Sequence, residues 1–272
     1  MNIWVILCVM GTLFTPFFAS TNTPHFRDRI NTYPSDEWSV ADIQAEIALG
    51  RKISARILGQ YSLSNNQALQ NYVNLIGQGI AGQLGRPEIM YYFSVIDSEH
   101  VNAYATPGGY IFITSGLLSK IKNESQLAGV LAHEISHVNR RYIVKKYSIR
   151  GAQSSLLSTA TILASASTQT VRLTLNMIVD QVLDALLING LDHEEEMSAD
   201  VDAVNAMIML DYNADDYIEL LESIHAHSDN KSVSSTHPSL TQRLTKIEQN
   251  SEKKSLNGTN SHSERYKHYV NQ

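Results

Sequence analysis

Residues 133–137 read His-Glu-Ile-Ser-His, an H-E-x-x-H stretch inside an apolar run from Leu127 to Val138. On a helix, residues four apart lie on one face, so His133 and His137 can present two imidazole nitrogens to one cation. Glu134 lies one step round the helix, within reach of a water bound to that cation. The stretch therefore predicts a metal site with two histidine ligands and a carboxylate general base.

The flanking residues favour a buried helix over the alternative of two partly exposed histidines beside a solvated glutamate. Asn123 and Gln126 form a variant of the capping box that starts helices. Apolar side chains then recur at helical spacing at Leu127, Val130, Leu131, Ile135, Val138 and Tyr142. Because a buried imidazole needs a polar partner, a metal ion is a reasonable one.

Composition places the chain among folded globular proteins. Of its 272 residues, 43% are hydrophobic and 18% are charged, and the net charge of −6 argues against a nucleic-acid partner. Cys8 is the only cysteine, which excludes a disulfide framework and a thiolate zinc site.

The apolar stretch from Ile3 to Ala19 predicts export, with residues 1–20 as a signal peptide. No Lys or Arg precedes it, and Phe17 or Phe18 occupies a position that prefers a small residue. An uncleaved N-terminal membrane anchor is therefore the alternative. Residues 21–39 are predicted to be an irregular lead-in.

Hydrophobic periodicity predicts an α+β fold. Helices are expected at Val40–Tyr61 and Asn65–Leu84, where apolar residues recur at helical spacing. Strands are expected at Ile89–Ile96, Val101–Thr106 and Tyr110–Thr114, which are rich in β-branched and aromatic residues. These strands should form a small antiparallel sheet beside the H-E-x-x-H helix.

A long segment from Gly151 to Gly190 is rich in Ala, Ser, Thr and Leu. Arg172, Asp180 and Asp184 interrupt its apolar runs, so it falls short of a membrane span. We interpret it as one or two partly amphipathic helices that cover the active-site cleft, with membrane-surface association as an alternative.

A catalytic zinc site needs a third protein ligand and an open position for water. Since the chain lacks the third histidine of the extended H-E-x-x-H-x-x-G-x-x-H motif, a carboxylate on another helix is expected. Glu196 and Asp200 are four residues apart, so one can bind the metal while the other accepts the N–H of a ligand histidine. A solvated helix start explains Glu194 and Glu195, but it explains Asp200, inside an apolar helix, poorly.

H-E-x-x-H followed by E-x-x-A-D resembles the HtpX and CAAX-prenyl-protease family of gluzincin zinc metallopeptidases. Residues 102–118 are similar to the strand region before that family's zinc helix, and residues 235–243 to its H-P-x(4)-R segment. The resemblance covers roughly residues 40–250 and is greatest to the soluble, BepA-type periplasmic branch. Only a polar tail, residues 251–272, stands where that branch has a helical-repeat domain, and the multiple membrane spans of the other branches are lacking.

The resemblance implies a mainly helical, zincin-like domain at residues 40–250. It implies His133, His137 and Glu196 as ligands of one Zn²⁺, Glu134 as the general base, and Asp200 as the partner of a ligand histidine.

Further roles are implied around this centre. His237 would lie near the metal, as a fourth ligand or as a stabiliser of the tetrahedral intermediate, with Arg243 close by; a turn histidine before proline is the alternative for His237. Apart from the resemblance, the strand Tyr110–Thr114, or its neighbour, is expected to offer an edge to which an extended peptide substrate adds as another strand. The residues expected along that edge are Asn102, Gly109, Tyr110 and Ile111.

The predicted function is a zinc-dependent endopeptidase for unfolded or misassembled cell-envelope proteins, in the periplasm and in contact with envelope assembly machinery. A largely latent, zinc-bound chaperone that holds such clients is the alternative. A helical protein with accidental histidines is a third reading, and it predicts no metal.

Overall fold

The computed structural model describes residues 38–151, 169–227, 238–250 and 261–270. The predicted signal peptide, most of the lead-in and His237 lie outside these ranges. Among the residues that are described, no helix is long and apolar enough to cross a membrane.

Two long helices open the fold, as predicted. Helix α1 (Val40–Gln60) begins at Ser39, which forms a reciprocal capping box with Asp42. Helix α2 (Gln67–Leu84) begins at Asn66, whose side chain accepts a hydrogen bond from a first-turn amide. Such side-chain caps satisfy amides that have no partner inside the helix.

Three strands follow: β1 (Tyr92–Ile96), β2 (Ala103–Thr106) and β3 (Tyr110–Thr114), in the spatial order β1-β3-β2. β2 pairs antiparallel with β3, but β1 pairs parallel with β3. The prediction of an entirely antiparallel sheet was therefore wrong. The reason is that β3 lies between the two earlier strands and runs parallel to β1.

The turn between β2 and β3 depends on glycine. Gly108 and Gly109 have φ of 74° and 91°, values that side chains with a Cβ rarely adopt. A Cβ at Gly109 would lie 2.3 Å from the Met90 carbonyl oxygen. The tight turn sets the β2–β3 register, which places Ala103 opposite Ile113.

The H-E-x-x-H stretch lies in the centre of the molecule. A short helix α3 (Ser115–Leu118) precedes helix α4 (Glu124–Arg140), whose residues are buried from Glu124 to Asn139. Asn123 caps α4, as predicted, by accepting from the Gln126 amide at 2.9 Å. The helix ends at Arg141, which has a left-handed φ of 54°.

The remaining helices surround α4. They are α5 (Tyr142–Lys146), α6 (Gln169–Asp184), α7 (His193–Met209), α8 (Ala214–His227), α9 (Leu240–Asn250) and α10 (Ser263–Val270). A π-helical turn, Ala185–Asn189, extends α6. The sheet has a hydrophobic core on each face. One core packs α2, α4, α7 and α8 against it, and the other packs α1 and α6.

The C-terminal region differs from the prediction of a polar tail. Helix α10 packs on the domain with Tyr266 only 3% exposed. Its eight residues include only two tyrosines and one valine as apolar anchors, so hydrophobic periodicity could not reveal it.

Candidate active site

The site forms where α4 packs against α7. These helices are joined by polar contacts as well as by the core. Ser136 Oγ lies 2.5 Å from an Asp202 carboxylate oxygen, and Arg140 Nε lies 2.7 Å from the same oxygen. The contacts hold the two helices together beside the predicted metal ligands.

Three buried side chains converge between these helices. Nε2 of His133 lies 3.0 Å from Nε2 of His137. The Glu196 carboxylate oxygens lie 3.7 Å from His133 Nε2 and 3.4 Å from His137 Nε2. Among the described residues, these three form the only such group of His, Cys, Asp and Glu ligands.

The donor set fits a small divalent cation. Nitrogen and oxygen ligands bonded at about 2.0–2.1 Å in a tetrahedron lie roughly 3.3 Å apart. The three observed separations, 3.0, 3.4 and 3.7 Å, bracket that value. Two imidazoles and one carboxylate, all nearly buried, are also the ligand types of catalytic zinc sites.

Asp200 supports His133 from the other side of its ring. Its carboxylate lies 3.0 Å from His133 Nδ1 and is fully buried. Burial raises the pKa of Asp200, but Arg243 and His133 outweigh that effect and hold the pKa well below its ordinary value. Asp200 is therefore an ionised acceptor that can fix the orientation of the His133 ring.

The field around His133 favours positive charge. Burial lowers the pKa of His133, but the nearby carboxylates of Asp200 and Glu196 outweigh it and raise the pKa to about 10. The same carboxylates that favour a proton on this ring favour a cation at Nε2.

Tyr217 is a site residue that sequence reasoning missed. Its hydroxyl donates to Asp200 at 2.9 Å and lies 3.2 Å from His133 Nδ1. The ring packs on Gly129, where an added Cβ would lie 2.5 Å from a ring carbon. Gly129 inside the apolar run was the one available signal that something large approaches α4 there.

The two candidate ligand histidines differ in their support. Nδ1 of His137 is buried without a hydrogen-bond partner among the residues described, whereas His133 has Asp200. The ring of His133 is therefore the better oriented of the two.

Arg243 lies at the site, on the far side of Asp200. Its Nε and one terminal nitrogen each lie 2.6 Å from an Asp200 oxygen, an arrangement that suits the planar guanidinium. This pair occupies two of the three guanidinium nitrogens. His237, six residues earlier, lies outside the described residues.

A cleft of about 430 Å³, including the part open to solvent, borders the ligands. Glu134 lies in its wall beside His133 and His137. Glu196 of α7 also lines the cleft. The other lining residues come from β2 with the residue before it and from the segment after α6: Asn102, Ala103, Tyr104, Ala105, Ala185, Leu186, Leu187, Gly190 and Leu191. The segment at 185–191 lines the cleft, as expected for the end of the region that was predicted to cover it. Residues 152–168 of that region lie outside the described ranges.

The expected substrate edge needs a correction. Tyr110 and Ile111 lie in β3, which is paired on both sides, and Gly109 lies in the turn before it. These three residues therefore offer no free strand edge. Among the strands of the described residues, the one with an unpaired edge beside the cleft is β2, the neighbour of β3, and Asn102 directly precedes it.

Comparisons with known proteins give one family match and several relatives. The model of Peptidase family M48 matches residues 67–251. The beta-barrel assembly-enhancing protease of Escherichia coli K12 is 30% identical over 140 residues, 50% of this chain and 29% of that protein.

Two further relatives come from other groups. The mitochondrial metalloendopeptidase OMA1 of Schizosaccharomyces pombe is 29% identical over 184 residues, 65% of this chain and 52% of that protein. A protease HtpX homolog of Acidiphilium cryptum is 41% identical over 66 residues, 23% of this chain and 22% of that protein. The chain thus spans about half or less of the length of the curated relatives it matches.

Proposed function

The chain belongs to peptidase family M48, and from this membership we propose that it is a zinc-dependent endopeptidase that cleaves unfolded or misassembled cell-envelope proteins. The observation that carries the proposal is the convergence of the ligand atoms of His133, His137 and Glu196 to separations of 3.0–3.7 Å, with Glu134 in the same cleft wall.

Zinc is the metal that this ligand set suits best. Imidazole nitrogen with one carboxylate favours zinc over calcium or magnesium, which prefer all-oxygen sites. Three protein ligands leave a fourth tetrahedral position for water or substrate, which is typical of catalytic rather than structural zinc. Bound there, zinc would lower the pKa of water toward about 7 and polarise the scissile carbonyl.

The protein's own groups move and hold the protons. The Glu134 carboxylate accepts a proton from the attacking water and passes it to the leaving amine nitrogen. Asp200 accepts a hydrogen bond from His133 Nδ1–H, which fixes the tautomer and keeps Nε2 of that ring free as an electron-pair donor. Tyr217 and Arg243 hold the Asp200 carboxylate in place for this purpose.

Substrate would bind as an added strand on β2. Asn102 exchanges hydrogen bonds with Thr114 of the β3 side: its carbonyl accepts the Thr114 amide at 3.2 Å, and its amide donates to Thr114 Oγ1 at 3.2 Å. Because ladder groups alternate along an antiparallel pair, the Ala103 carbonyl and the backbone groups of Ala105 point to the free edge, while the Ala103 amide donates to Asn102 Oδ1 at 2.9 Å. Main-chain recognition of this kind accepts many sequences in an extended, unfolded form.

The envelope substrate class rests on two supports. The apolar residues 3–19 predict export, and the Escherichia coli relative is named a beta-barrel assembly-enhancing protease. Assembly machinery of the envelope is the partner class that this name suggests.

The test is hydrolysis of an unfolded protein such as casein by the zinc-loaded chain and by its Glu134→Gln variant. We expect both to bind one zinc, and the variant to lose about 10²–10⁴-fold in rate. Undiminished activity in the variant would remove Glu134 from the reaction. Client binding that survives in the variant, with no cleavage by the wild type, would favour the chaperone alternative.

A further inference from the structure

Helix α10 lies beyond residue 251, where the family match ends, yet it contacts the metal-bearing helix α4. The contact is made at Glu124, the first residue of α4, whose side chain is fully buried. A buried carboxylate is costly unless it is paired and hydrogen-bonded.

Four side-chain donors surround this carboxylate. Tyr72 of α2 donates its hydroxyl at 2.5 Å, and Tyr212, after α7, donates its hydroxyl at 3.0 Å. Arg265 of α10 supplies Nε at 2.5 Å and a second guanidinium nitrogen to the other oxygen. Burial raises the pKa of Glu124, but these donors outweigh it and lower the pKa below its ordinary value.

The segment before α10 also binds the start of α4 through its backbone. The Ser261 carbonyl accepts from the amides of Glu124 and Ser125 at 3.1 and 3.4 Å. These are among the amides that have no partner within the helix itself. Ser261 is held in turn by its hydroxyl, which donates to Asp216 of α8 at 2.6 Å.

Two tyrosines anchor α10 on the core. Tyr266 is 3% exposed and donates its hydroxyl to the Leu118 carbonyl at 3.2 Å. Tyr269 stacks on Tyr72 with ring centroids 4.6 Å apart. The docked helix therefore has apolar contacts as well as the ion pair.

Glu124 and the metal ligands lie at different places along the same pair of helices. Along α4, Glu124 precedes His133 by nine residues, about 14 Å of helix. Tyr212 at the end of α7 contacts Glu124, while Glu196 near the start of α7 contacts the ligand histidines. α4 and α7 thus run antiparallel and are joined at both positions.

We propose that α10 is a clasp that fixes the start of α4 against α7, with Arg265 as the positioning residue that keeps the ligand histidines in reach of Glu196. Because its test measures zinc affinity, this proposal rests on the zinc site proposed above.

The experiment replaces Arg265 with Met in the full chain, which leaves Glu124 buried without its cation. Zinc affinity is measured by competition with a chromophoric chelator, and hydrogen exchange is measured along α4. We expect about tenfold weaker zinc binding, the lower end of the range for residues that support metal ligands. Exchange at the start of α4 should become faster.

Two matched variants sharpen the result. Arg265→Lys keeps the charge but not the planar fork, so it should restore part of the affinity. Lys122→Met removes an exposed pair with Glu219, 2.6 Å apart, near the same helix end, and should leave zinc affinity unchanged.

Wild-type zinc affinity in Arg265→Met, with faster exchange confined to α10, would overturn the clasp. If Arg265→Met does not fold, Tyr269→Leu replaces it, because this variant weakens the docking of α10 by removing the stack on Tyr72. Faster hydrogen exchange in α10 with unchanged zinc affinity in Tyr269→Leu would also overturn the proposal. Neither readout needs peptidase activity. A chain that binds zinc and shows these shifts but cleaves nothing would refute the proposed function and leave the clasp standing.

Discussion

Asp200 Oδ1 lies 3.0 Å from Nδ1 of His133, on the opposite side of the ring from the Nε2 that faces Glu196. The ring is therefore held between two carboxylates of one helix, spaced four residues apart. One carboxylate is positioned to share a cation with His133, and the other is positioned to set its tautomer.

Replacing Asp200 with Asn should weaken the site and the fold together. Arg243, whose side chain is only 14% exposed, would lose its carboxylate partner, which typically costs about 3–5 kcal/mol for a buried pair, and zinc affinity should fall about 10–100-fold. Tyr217→Phe is the milder control, because it removes one hydrogen bond to Asp200, worth about 1 kcal/mol. Chelator competition and urea unfolding measure both effects. Equal zinc affinity in Asp200→Asn and wild type would show that Asp200 does not support the metal.

His133→Ala should lose stoichiometric zinc, since two protein ligands seldom hold a catalytic zinc. His225→Ala is the control, because His225 is exposed on α8, away from the ligand cluster. Elemental analysis of the purified variants decides the matter. One zinc per chain in His133→Ala would refute the ligand assignment.

Much of this site could be predicted from spacing within single helices. The i, i+4 pairs His133–His137 and Glu196–Asp200 each lie on one helix face, and the structure brings the two faces together. The periodicity of α1, α2 and α4 predicted those helices to within a few residues.

Contacts between elements that are distant in the chain could not be predicted from the sequence. Tyr217 reaches Asp200 across a helix pair, and nothing local to Tyr217 distinguishes it from other core aromatics. The prediction of the sheet topology was wrong for the same reason. Local residues predict that β1 and β3 are strands, but the pairing of β1 with β3 is decided by packing across the sheet.

Gly129→Ala should destabilise the chain, because its Cβ would lie 2.5 Å from the Tyr217 ring. Overpacking of this kind costs typically 1–3 kcal/mol, and the shift of Tyr217 should also weaken zinc binding. Gly79→Ala is a control of opposite sign. Gly79 is an exposed residue of α2 with no atom within 4 Å of an added Cβ, so alanine should stabilise the helix by roughly 0.5–1 kcal/mol. Thermal unfolding of both variants measures the contrast, and a shift of the same sign in each would contradict it.

The pH dependence of the free energy of unfolding should reveal the lowered pKa of Glu124. Its pKa is lower in the folded chain than the value of about 4.3 for an unfolded glutamate, so the unfolded chain binds more protons in this range. The stabilisation is complete above the unfolded pKa and is lost as the pH falls through the folded pKa. Urea midpoints should therefore fall more steeply from pH 5 to pH 3.5 in wild type than in Glu124→Gln. Identical slopes would contradict the lowered pKa.

Substrate binding on the β2 edge predicts a two-residue period in peptide recognition. Along an added strand, alternate amides face the outward backbone groups of Ala103 and Ala105, and the intervening amides point away. N-methylation of a facing amide removes one hydrogen bond of about 0.5–1.5 kcal/mol, so KM should rise roughly two- to tenfold. Methylation of an intervening amide serves as the internal control and should change KM little. A series of peptides methylated one position at a time, assayed with the zinc-loaded enzyme, measures the pattern. An equal rise in KM for methylation at neighbouring positions would show that substrate does not pair with this strand. The binding surface would then have to be sought among the other cleft-lining side chains, Leu186, Leu187 and Leu191.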